Sequence, residues 1–97
     1  MKSTQLFPDI VIPECILDAV RSGVLTDISW GNDCAPSFML TVDALSDNAD
    51  EALRLYVDHE DQNQREDEQS WRFAVTNAET VMDTNNAEDA LAFLVNR

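Results

Sequence analysis

LRLYVDHEDQNQREDEQSWRFAVT, residues 53–76, decides the fold. Its two ends alternate and its middle does not. Leu53, Leu55 and Val57 alternate with Arg54, Tyr56 and Asp58, and Trp71, Phe73 and Val75 alternate with Arg72, Ala74 and Thr76. A period of two sends successive side chains to opposite faces, so each end predicts a strand with one buried face. Between them EDQNQREDEQ, residues 60–69, holds no apolar side chain and predicts a long polar hairpin tip. Residues 46–57 also carry a helix signal, because Asp47, Asp50 and Glu51 suit a helix start. Leu-x-Leu-x-Val running straight into a polar turn favours the strand.

Working outward, Phe38, Leu40 and Val42 alternate with Met39, Thr41 and Asp43 and predict a third half-buried strand. Pro13 to Ser22 predicts a short helix. Pro13 suits the first helical position, Ile16, Leu17 and Val20 share one face, and Gly23 can take a left-handed stop. At the other end, Asn85 followed by Glu88 fits a capping box, and Ala87, Leu91, Leu94 and Val95 form an apolar stripe. The segment DISWGND, residues 27–33, predicts a turn capped by Asn32 and Asp33 in which Trp30, like Leu25, anchors into the core. The alternative there is a binding loop around an exposed Trp30. The expected architecture is α+β: a three-stranded antiparallel sheet with an N-terminal and a C-terminal helix on one face, in the order α-β-β-β-α. Residues 1–97 form a single domain, since a chain this short rarely supports two cores.

Charge bounds the function. The chain has 19 acids against 6 bases, a net charge of −13, with 44% hydrophobic residues. That apolar content belongs to a globular domain rather than a disordered acidic tail. Direct binding to nucleic acid or to an anionic membrane needs a cationic surface and is not expected. The excess is also uneven. Residues 43–68 carry ten acids against two bases, net −8. A 97-residue domain spans roughly 32 Å, and duplex DNA of that length holds roughly 19 charges. If Asp58 and Glu60 lie on one extended face, they sit about 6.6 Å apart, a spacing a DNA-binding groove can accept in place of phosphates. A solvated surface selected for solubility is the bland alternative. Halophily is another, because Asp outnumbers Glu 12 to 7, although a halophile spreads its charge.

Chemistry-bearing motifs are sparse. Asp58-His59-Glu60-Asp61 is the only run of metal-ligand residue types, and an extended backbone turns at most two of them to one side. A transition-metal site needs three or more convergent ligands, so neither a metal nor any other cofactor is expected. Two glycines cannot build a phosphate loop, and no nucleophile elbow or Cys-His pair occurs. Arg54, Arg65 and Arg72 are expected to form ion pairs within the acidic sheet. Cys15 and Cys34 lack CxxC spacing and read as small core residues or free thiols. The opening MKSTQLFPDIVIPECI is interrupted by Pro8, Asp9, Pro13 and Glu14 and does not read as a secretion signal. No stretch approaches the roughly 18–20 apolar residues of a membrane span. A cytoplasmic, non-enzymatic protein is expected.

The size, the absent catalytic motifs and the acids from Asp43 to Glu68 resemble a functional class: the small acidic DNA-mimic proteins of phages and mobile elements, including several anti-CRISPR proteins. SWGNDCAPSF (29–38) and LYVDHEDQNQRE (55–66) are also similar to small bacterial mobile-element proteins. The class shares no fold, so the resemblance implies a mechanism and not residue roles. It implies an inhibitor of host defence that acts in the bacterial cytoplasm by protein–protein interaction. Such an inhibitor occupies the basic groove of a nucleic-acid-binding complex, a CRISPR effector first, and blocks its substrate. The carboxylates expected to carry binding are Asp58, Glu60, Asp61, Glu66, Asp67 and Glu68, with Asp43, Asp47, Asp50 and Glu51 secondary. An antitoxin or immunity protein covering a basic toxin or nuclease has the same surface physics. A small metal-binding protein or enzyme centred on Asp58, His59 and Glu60 is the third reading.

Overall fold

The computed structural model describes residues 2–33, 35–47, 51–65, 70–77 and 79–96. The chain runs α1 (Lys2–Leu6), α2 (Glu14–Arg21), β1 (Leu25–Asp27), β2 (Ser37–Leu40), α3 (Thr41–Ala44), β3 (Arg54–Val57), β4 (Phe73–Asn77), β5 (Glu79–Thr84) and α4 (Ala87–Val95). The strands form one antiparallel sheet in sequence order, β1-β2-β3-β4-β5. The α+β class holds, with helices towards both ends. The sheet has five strands rather than three.

The strand register puts the core on one face. Leu25 opposes Leu40, Phe38 opposes Leu55, Leu55 opposes Val75, and Val57 opposes Phe73. Against this face pack Ile16 of α2 and Ala90 and Leu94 of α4, all fully buried, with Ile10 and Ile12 from the segment before α2. α4 lies across β3, β4 and β5, while α2 touches β1 and α4. The alternation in residues 53–57 and 73–76 is visible because α4 covers this face of β3 and β4.

Several boundaries move, each for a local reason. Thr41 and Val42 leave the predicted strand for α3, where the Thr41 N–H donates to the Val24 carbonyl at 2.9 Å and Val42 is 74% exposed. Met39 is as buried as Phe38, because the β1–β2 loop and α3 cover the second face there. β4 starts at Phe73, which leaves Trp71 half-exposed instead of in the core. In α2, Pro13 is the N-cap rather than the first helical residue, and Gly23 takes φ +85°, the predicted left-handed stop. α4 is capped by Asn86, whose side chain accepts the Asp89 N–H at 3.1 Å, one residue past the predicted Asn85. Val95 leaves the expected stripe and is exposed. Cys15 is a half-buried free thiol packed against the core, and Cys34 lies outside the described residues. Among the described residues no helix is long and apolar enough to cross a membrane.

Candidate interaction surface

The acidic segment 43–68 brackets β3, and that topology divides it. β3 rises about 3.3 Å per residue, so its two ends lie about 10 Å apart. Asp43, half-buried in α3, and the exposed Asp47 and Glu51 stand before its start. Asp58, Glu60 and Asp61 stand beyond its end. Asp50, Glu66, Asp67 and Glu68 lie outside the described residues. The predicted extended spacing of Asp58 and Glu60 does not apply, because the strand ends at Val57 and the chain turns. The described carboxylates of this segment form two groups, one before β3 and one after it.

The second group sits on residues 58–65, which are hydrogen-bonded among themselves and to Arg72 just before β4. The Asp58 N–H donates to the Arg72 carbonyl at 2.7 Å and closes the loop's neck. The Asp58 carboxylate accepts the His59 N–H at 2.7 Å, and the Asp61 carboxylate caps a 3-10 turn over Gln62–Gln64 by accepting the Asn63 N–H at 2.9 Å. Glu60 and Asp61 face solvent.

Arg65 holds this shape. It is only 8% exposed, although it sits in the middle of the polar tract. Its Nε donates to the His59 carbonyl at 2.9 Å, Nη1 to the Ser70 carbonyl at 2.8 Å and Nη2 to the Glu60 carbonyl at 3.4 Å. Only a guanidinium offers enough donors in a fixed fork for three main-chain acceptors. The expected ion pairing of Arg65 with sheet acids gives way to this main-chain role. Arg72 behaves alike: Nη2 donates to the Val11 carbonyl at 2.9 Å, and its guanidinium carbon lies 5.0 Å from the Phe73 ring centroid. Burial lowers the Arg72 pKa, and Arg65 adds to that while Glu60 opposes it. Arg54 has an interaction of its own. Sequence patterning gave no hint of Arg65. The usable signal was a long loop whose inward carbonyls need donors, with one Arg inside it.

The β1–β2 loop departs from its expected form. The Asp27 carboxylate, not Asn32 or Asp33, organises it, accepting the Ser29 N–H at 3.0 Å and, from α1, the Ser3 N–H at 2.8 Å. Burial alone would raise the Asp27 pKa, but the hydrogen bonds from Ser29 and Ser3 outweigh it and leave the group below its ordinary value. Buried Ser29 accepts the Ser37 N–H on its hydroxyl at 3.1 Å and pins the loop to β2. Trp30 is 61% exposed and does not enter the core. Together with Ile28, Asp33, Met39, Ala44 and Arg54 it lines an open cleft of about 390 Å³ on the sheet face away from α2 and α4.

Two smaller features bear on chemistry. His59 lines a cleft of about 170 Å³ with residues 6–10, and its Nδ1 is buried without a described partner. Among the described residues no three of His, Cys, Asp and Glu converge as metal ligands. The Asp58-His59-Glu60-Asp61 run is therefore an acidic turn and not a described metal cluster.

Comparison with known proteins finds no matching family model, no similar curated protein and no similar solved structure.

Proposed function

We propose that this protein is a non-enzymatic acidic inhibitor that covers the cationic nucleic-acid-binding surface of a bacterial defence complex, in the manner of anti-CRISPR DNA mimics. One observation carries the reading. Residues 43–68 hold ten acids against two bases, and one of those two bases, Arg65, is buried against main-chain carbonyls while Glu60 and Asp61 stay exposed. Concentrating like charge costs self-repulsion that solubility alone does not demand.

Because the carboxylates fall into two groups beyond the ends of β3, the fitting target is a groove with cationic walls on the order of 10 Å apart or more. The domain's longest extent is 37 Å. Inhibition then works by exclusion: the protein and the nucleic acid compete for the same Lys and Arg side chains. The test is binding to a purified CRISPR effector complex, with duplex DNA as competitor. Affinity is expected to fall by at least about tenfold between roughly 0.05 and 0.2 M salt, with DNA displacing the protein. Binding that ignores both salt and DNA refutes the proposal. Effector-independent capture of a toxin or nuclease assigns the antitoxin reading instead.

A further inference from the structure

The cleft beneath Trp30 shares no lining residue with the loop of Glu60 and Asp61, although Ala44 and Arg54 set it beside the first acidic group. Met39, 2% exposed, lines it with Ile28, Ala44, the exposed Trp30, Asp33 and Arg54. At about 390 Å³ it lies near the lower bound of ligand pockets, the size of one long side chain with its flanking backbone rather than of a cofactor.

We infer that this cleft is a socket for one arginine side chain of a protein partner. Three occupants can be weighed. A purely aliphatic side chain would bury Asp33 and Arg54 without replacing their water. An anion would meet Arg54 but also Asp33 and a chain of net charge −13. Arg54 is the one lining residue of like charge, and an incoming arginine answers Trp30, Asp33, Met39 and Ile28. Its methylene stem lies along Met39 and Ile28, as long cationic side chains do on apolar surface. Its guanidinium stacks on the indole and pairs with the Asp33 carboxylate. Arg54 has an interaction of its own in the free protein.

The socket is also rigid before it is filled. Ser29, one residue before Trp30, is buried and bonded to Ser37, the Asp27 carboxylate holds the Ser29 N–H, and the Asp33 N–H donates to the Trp30 carbonyl at 3.0 Å. A loop ordered in advance lowers the entropy cost of capturing a side chain. The choice of occupant rests on the reading that the partner is basic; the shape of the socket does not.

The experiment is a nitrogen–proton NMR titration of the full chain with N-acetyl-arginine amide, and with the citrulline and leucine analogues as controls. The two indole N–H signals, assigned with Trp30→Phe, separate the socket from Trp71. Saturable movement of the Trp30 signal by the arginine amide at millimolar concentration is expected, with little movement by citrulline. Asp33→Asn should weaken the response about fivefold. No movement of the Trp30 signal, or equal movement by citrulline or leucine, overturns the socket. Poly-lysine binding, followed in the same samples by the amides of Glu60 and Asp61, reports on the acidic loops. Its loss with the Trp30 response intact would count against the proposed function and leave the socket standing.

Discussion

Arg65 reaches across its own loop and donates from Nη1 to the Ser70 carbonyl at 2.8 Å. That bond, with those to His59 and Glu60, makes a cation the internal frame of an acidic loop. The side chain faces inward, so its donors order the backbone while Glu60 and Asp61 stay exposed. The Asp58 and Asp61 carboxylates add to that order by accepting the His59 and Asn63 N–H groups.

Removing the frame should loosen the loop before it unfolds the domain. Hydrogen bonds to a charged group contribute about 1.5–3 kcal/mol each, and water can replace part of the three lost here, so Arg65→Met should cost at least about 2 kcal/mol. In a domain of this size that lowers Tm by roughly 10 °C. Hydrogen exchange should rise most at residues 59–65. Uniform exchange across the sheet would show instead that Arg65 supports the whole fold.

The two acidic groups can be told apart by charge reversal. Glu60→Lys with Asp61→Lys should weaken binding to the effector at least about tenfold, because these carboxylates are exposed beside the main chain that Arg65 holds. Asp47→Lys with Glu51→Lys should weaken it less, and Asp9→Lys with Asp18→Lys least. An equal effect of all three pairs would mean that net charge, and not a face, drives association.

How much was legible follows from which faces are covered. β3 and β4 show a clean period of two because Leu55, Val57, Phe73 and Val75 meet helices on one side only. β2 misleads because Met39 is covered on the other side by the Trp30 loop, so alternation no longer separates inside from outside. β1 is three residues long, too short for any period. β5 hides its period in a bulge: Val75 pairs with Met82 but Thr76 with Thr80, which leaves Val81 over. The acidic residues were legible as flanks of the strand predicted over 53–58, but the turn at Asp58 was not, because the strand stops at Val57 and Arg65 gathers the carbonyls that follow. Trp30 defied its size, because the buried neighbours Ser29 and Ser37 set the direction of the loop.

Asp27 gives stability a pH signature. Its folded pKa lies below the ordinary 3.8, so the native state holds this proton less tightly than the unfolded chain. The contribution is therefore complete above about pH 4 to 5 and is lost as pH falls through the folded pKa. Asp27→Asn keeps the shape but offers an acceptor on one side only, against N–H donors from both Ser3 and Ser29. At pH 7 it should cost about 1 kcal/mol. The gap between wild type and variant should close below about pH 4 in urea melts. A gap independent of pH would show that the two hydrogen bonds do not need the charge.

The adjacent asparagines before α4 separate a helix cap from a loop clasp. Asn86 accepts the Asp89 N–H and caps α4, whereas Asn85 accepts the Arg72 N–H at 2.9 Å and ties the neck of the acidic loop to the end of β5. Replacing an N-cap by Ala typically costs about 1 kcal/mol, so Asn86→Ala should lower stability by that much. It should raise exchange in the first turn of α4 and leave the loop alone. Asn85→Ala frees one exposed N–H that water can satisfy, so its cost should be under about 1 kcal/mol. Its exchange increase should appear at Arg72 and Asp58, whose N–H donates to the Arg72 carbonyl, rather than in α4. If the two variants exchanged these patterns, Asn85 would be the cap and the helix would start one residue earlier.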